Sequence, residues 1–166
     1  MVLNMNNNNV DREIQDCITE LGKIKLIIDQ DKLRSTNQYL TKYSIIRACG
    51  SIERAYKGLI CDYGNSYDIQ TIGTYIYNTV KKSSMNPSYS NMINLLKKFN
   101  ESWGTELKEK VDNRENSSKL RTSLESLNMV RNQFAHGGNP TITIDDIIEY
   151  YSDAIVILED YEAVLQ

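Results

Sequence analysis

The sequence predicts an all-α protein, an up-and-down bundle of about five or six helices. Three observations predict it. Apolar residues recur at helical spacing along most of the chain, no segment alternates as a strand would, and only two prolines interrupt 166 residues. Short loops rich in Gly and Asn separate most of the periodic stretches, which favours antiparallel neighbours. The length suits one domain with a proper core. The expected organisation is a disordered Asn-rich tail over residues 1–9 and a single helical domain over 10–166.

From Val10 to Gln30, Ile14, Ile18 or Cys17, Leu21, Ile24 or Lys25, and Ile28 recur at helical spacing. A second helix is expected from Asn37 to Asp62, with Leu40, Tyr43, Ile46, Gly50, Ala55 and Leu59 on its stripe, until "DYGNSYD" breaks the pattern. A third spans about Asp68 to Lys82 through Ile69, Ile72, Ile76 and Val80, weakened by Gly73. "SSMNPS" reads as a loop, and "SNMINLLKKF" as a fourth helix. "NESWGTELKEKVDNRENSS" is polar, and a short helical turn followed by a mobile loop is expected there.

Two strong helices follow. "SSKLRTSLESLNMVRNQFAHGG" has serines to cap its start and Gly137-Gly138 to stop it. Its leucine stripe, Leu120, Leu124 and Leu127, leads on to Arg131. The last helix opens at "TITIDD", where Thr143 and Asp146 have capping-box spacing. Ile144, Ile147, Ile148, Tyr151, Ala154, Ile155, Leu158, Tyr161 and Leu165 then form its buried stripe.

Composition excludes several classes. Hydrophobic content of 40% and charged content of 25% are those of an ordinary globular chain. Cys17, Cys49 and Cys61 lack CxxC spacing, so neither a disulfide framework nor a thiolate metal site is expected, and reduced thiols fit a cytoplasmic location. A single histidine argues against a histidine metal site, and no metal or cofactor is expected. "MVLNMNNNNV" lacks the basic and apolar regions of a signal peptide, and no apolar run suggests a membrane span.

Charge is uneven. Residues 81–131 hold ten Lys and Arg against six Asp and Glu, whereas residues 132–166 hold seven acids and no Lys or Arg. Any nucleic-acid face must therefore be local.

The stretch "MVRNQFAHGGNP" contains the one histidine, His136. In the last helical turn it lies beside unpaired carbonyls, at the dipole end that favours a cation. Histidine can both donate and accept protons near neutrality. Arg131 continues the leucine stripe and should face a groove or interface, where a guanidinium needs partners. Five residues of ideal helix set the two side chains about 140° apart, so they share a face only if Gly137-Gly138 loosens the last turn. Both residues also serve plain helix termination.

"RNQFAHG" resembles the signature of the HEPN superfamily, an Arg, a polar residue, three more residues and a His closing a late helix; Arg131, Asn132 and His136 match it in order. "SIIRACGSIERAYKGLI" supplies a second match, since Glu53 and Lys57 fit the Glu-x3-Lys of an early helix in such domains. An ordinary ion pair explains that spacing equally well. The order of segments over most of residues 37–166 is similar to the bacterial RiboL-PSP-type HEPN branch.

The resemblance implies a metal-independent endoribonuclease, often a toxin or defence effector, restrained by an antitoxin or regulatory partner. It implies Arg131, His136 and Asn132 as catalytic, with Glu53 and Lys57 supporting. It further implies a homodimer through the helix carrying Arg131 and His136, because one chain supplies one histidine and the chemistry asks for two proton-transfer groups. Two alternatives are a catalytically silent HEPN-like dimeric interaction or RNA-binding module, and an unrelated helical adaptor. Tyr39, Tyr43, Tyr56, Tyr63, Tyr67, Tyr75 and Tyr77 are expected as core-edge packing rather than base-stacking residues. Lys97, Lys98 and Lys108 are expected as solvated charges.

Overall fold

The computed structural model describes residues 5–166. Among them there are only helices: α1 (Asn8–Gln30), α2 (Asn37–Asn65), α3 (Gln70–Ile76), continued by a π-helical turn (Tyr77–Lys81), α4 (Tyr89–Lys97), α5 (Glu101–Asp112), α6 (Ser117–Ala135) and α7 (Ile144–Val164).

Side-chain pairs set the directions. Glu20 meets Tyr43 and Arg47 while Glu13 meets Arg54, so α1 and α2 are antiparallel. Cys49 Sγ donates to the Leu127 carbonyl (3.5 Å) and Lys42 Nζ lies 5.8 Å from the Phe134 ring, so α2 and α6 are antiparallel too. Ser51 bonds the Tyr151 hydroxyl (2.7 Å) and the Tyr56 and Tyr161 rings meet edge-on, so α2 runs parallel to α7. These relations are those of an up-and-down bundle, with α2 and α7 at its centre. One continuous cluster of buried side chains, from Val10 to Val164, forms the core.

Three expectations need correction. Residues 1–4 of the expected tail lie outside the described residues, but its remainder is built into the fold. Asn7 caps α1 through its side-chain oxygen, and the Asn6 and Asn7 N–H groups donate to the buried Glu162 carboxylate at 2.9 and 2.7 Å. An asparagine run read as low complexity therefore contains a good helix cap. The stretch expected as a turn and mobile loop is α5, which takes the α-helices among the described residues to seven. Asn100 caps it, and Gly104, Leu107 and Val111 form a narrow buried stripe. Arg114 then ties the α5–α6 turn to Asp160 of α7 at 2.7 and 2.8 Å. No serine side chain caps α6, whose N-cap position is Asn116; the Thr143–Asp146 capping box of α7 is present.

The tyrosine expectation holds only in part. Tyr56 is buried and Tyr63 packs against Trp103, but Tyr39, Tyr43, Tyr67, Tyr75 and Tyr77 are exposed. They lie on α2, in the turn that follows it, on α3 and on the π turn, with their side chains at the surface.

Candidate active site

Helix α6 has two working faces. Leu120, Leu124, Leu127 and Val130 enter the core. Asn128, Asn132 and His136, each four residues apart, follow a row about 40° off axial alignment per step. With Ser88, Glu125, Met129 and Gln133 they line one open groove.

The end of α6 is a Schellman motif. His136 occupies the C-cap position, Gly137 has φ +80°, the Gly137 N–H donates to the Phe134 carbonyl (3.0 Å) and the Gly138 N–H to the Gln133 carbonyl (2.8 Å). The two glycines therefore close the last turn instead of loosening it. The His136 N–H is still held by the Asn132 carbonyl at 3.1 Å, which leaves an exposed imidazole at a fixed helix end.

Arg131 and His136 do not share a face, and among the described residues no hydrogen bond joins them. Asn132 spans the gap. Its side-chain oxygen accepts from Arg131 Nη1 at 3.1 Å, while its own position lies one helical turn before His136. The guanidinium is half-buried and has no carboxylate partner among the described residues. That is unusual here: the other half-buried arginines, Arg47, Arg114 and Arg121, each contact an acid at 2.8 Å or closer. A half-buried cation without its counter-charge suits an anionic ligand. Lys42, against Phe134, adds a second cation near this end of α6.

Cys49 lies between α2 and α6. Burial, only partly opposed by the Arg131 charge, pushes its thiol up to about 12. Such a thiol is protonated at neutrality and offers no nucleophile. Among the described residues no group of three or more His, Cys, Asp and Glu side chains is placed to hold a metal ion.

Glu53 and Lys57 are paired at 2.5 Å, with Lys57 only 3% exposed. The antiparallel register puts them beside the start and middle of α6, about 12 Å (Glu53) and about 18 Å (Lys57) along α2 from the position facing Arg131. Their connection to the groove runs through the linker after the π turn. Lys57 Nζ donates to the Ser83 carbonyl, Tyr56 Oη to Met85, Asn91 Nδ2 to Asn86 and Asn128 Nδ2 to Pro87. The next residue, Ser88, is a wall of the groove.

Sequence reasoning missed Asn128 and Ser88. Asn128 was detectable as the first member of Asn-x3-Asn-x3-His, but Ser88 was not, because only the linker's path brings it to α6.

A helical bundle whose late helix closes on Arg-Asn-x3-His is a HEPN superfamily domain. More narrowly, the sequence model of the RiboL-PSP-HEPN family matches residues 12–166, and the chain belongs to that family. No curated protein and no solved structure matches it significantly. No helix among the described residues is long and apolar enough to cross a membrane.

Proposed function

We propose that this chain is a metal-independent endoribonuclease of the HEPN type, a toxin or defence effector of the cytoplasm that works as a homodimer. The observation that carries the reading is Arg131, half-buried, without a carboxylate partner among the described residues, and joined by Asn132 to the face presenting His136.

In this reading the substrate phosphate occupies the place of the missing acid. One His136 accepts the proton of the RNA 2′-hydroxyl, whose oxygen attacks the adjacent phosphorus. The partner subunit's His136 protonates the departing 5′-oxygen. The products are a 2′,3′-cyclic phosphate and a 5′-hydroxyl, and Arg131 offsets the charge that builds on the phosphorane oxygens. A twofold axis along α6 supplies the second imidazole without a second histidine in the sequence. Met129, 54% exposed on that helix, supports such an interface. Family membership adds the expectation of an antitoxin or regulatory partner.

The alternative is a catalytically silent HEPN-like module that dimerises or binds RNA. It is favoured by one observation: among the described residues the His136 imidazole has no hydrogen-bond partner to fix its tautomer. The deciding experiment compares RNA cleavage by wild type and His136→Ala, purified side by side in chelator, with end-group analysis. Cleavage by wild type alone, leaving cyclic phosphate, is expected. Equal activity of the two proteins refutes the proposal.

A further inference from the structure

We propose that the groove between α3, the π-helical turn and α4 is a second contact surface for single-stranded RNA, leading the strand to His136. This inference rests on the reading of the α6 groove as an RNA-cleaving centre.

The groove is lined by Ile72, Tyr75, Met85, Leu95, Lys98 and Phe99, among others. Tyr75 is 69% exposed and Ile72 44%, although both sit on elements whose inward face is already satisfied by Ile76 and Val80. An apolar floor with an exposed tyrosine and a lysine beside it is a combination that binds single strands. The ring stacks on a base whatever its identity, and the ammonium meets a phosphate.

Charge selects a polyanion over an apolar peptide. Residues 69–100 contain four lysines and not one Asp or Glu. Glu101 answers Lys97 at 2.6 Å, whereas Lys82 and Lys98 have no carboxylate partner among the described residues. The acidic helix α7 packs on α1, α2, α5 and α6, so its charge is concentrated elsewhere.

Position links the two grooves. Met85 borders this one and Ser88 borders the groove of His136. Three residues separate their Cα atoms by at most about 11 Å of chain. Between them the linker is not slack, because the carbonyls of Met85, Asn86 and Pro87 are each held by a side chain from α2, α4 or α6. A strand lying in the Tyr75 groove therefore passes over a fixed edge into the groove of Asn132 and His136. Lys57, which donates to both the Glu53 carboxylate and the Ser83 carbonyl, holds the near end of that edge.

The test uses a fluorescent oligouridylate with 2′-O-methyl riboses, which binds but cannot be cleaved, against wild type, Tyr75→Ala and Lys98→Ala. Both side chains are exposed, and an unchanged circular dichroism spectrum and Tm confirm that the variants are folded. Tyr75→Ala is expected to weaken binding by roughly fivefold or more, the loss of one stacked base. Lys98→Ala is expected to reduce the slope of log affinity against log salt by about 0.7, one phosphate contact to a single strand. Cleavage of a dinucleotide, too short to reach the groove, stays at the wild-type rate in both variants.

Unchanged affinity and salt slope in the folded variants overturn the proposal. So does failure of the wild type to bind the oligonucleotide, which would leave the groove to a protein partner. Should wild type not cleave RNA while the variants still lose oligonucleotide binding, the groove stands and the cleavage reading falls.

Discussion

Replacing Gly137 by alanine and, separately, Gly22 by alanine makes the same chemical change in opposite settings. Gly137 has φ +80° and open space around its Cα, so an added methyl meets no neighbour and only the backbone objects. Gly22 lies inside α1, and a methyl there likewise meets nothing within 4 Å. Alanine in an ordinary helix position stabilises by about 0.5–1 kcal/mol relative to glycine. In the left-handed conformation the side chain costs about 1–2 kcal/mol. The unfolded-state benefit of alanine is common to both variants, so their difference isolates the backbone contribution. Gly22→Ala should exceed Gly137→Ala in unfolding free energy by about 1–2 kcal/mol, measured by urea denaturation. For a chain of this length that separates the two Tm values by roughly 2–8 °C. Gly137→Asn, which tolerates the left-handed region better, should lie between them. Equal shifts of the same sign in the two alanine variants would refute the Schellman ending of α6, and with it the fixed placement of His136.

Two further outcomes follow from the same geometry. Arg131→Gln should lower RNA cleavage by roughly a hundredfold or more while shifting stability by no more than about 0.5 kcal/mol, because the guanidinium holds no acid among the described residues. Arg47→Gln should do the reverse, since it removes a half-buried cation shared by Glu13 and Glu20 and leaves them only Arg54 and the Tyr43 hydroxyl; a large stability loss in Arg131→Gln would show that its role is structural. Cys49, pushed up to about 12 mainly by burial, stabilises the fold fully below the ordinary thiol range and loses that contribution as pH rises toward 12, because the unfolded thiol ionises first. Tm should therefore fall less steeply above about pH 9 in Cys49→Ala than in wild type. Parallel profiles would place the alkaline loss on other groups.

Much of the molecule was readable because its helices are long and strongly striped. The four long helices, α1, α2, α6 and α7, each show several turns of apolar spacing, and the Thr143–Asp146 box marks a boundary by chemistry alone. Helix α5 was not readable, since Leu107 and Val111 are too few to stand out until α4 and α7 cover them. The π-helical turn left no mark beyond ordinary periodicity. Exposed tyrosines were misjudged for a related reason: spacing gives the face on which a side chain lies, but not whether another element covers that face.

The site divides the same way. Arg131, Asn132 and His136 are neighbours along one helix, so their order and the glycine stop were fixed by local sequence. That Arg131 meets no acid among the described residues, and that Ser88 walls the groove, depend on which helices pack together. Local sequence determines the helices, their caps and the spacing of side chains, because those are short-range hydrogen-bond and steric preferences. Only the tertiary structure decides which charges are paired and which faces stay open, because pairing and burial are set by residues far apart in the chain.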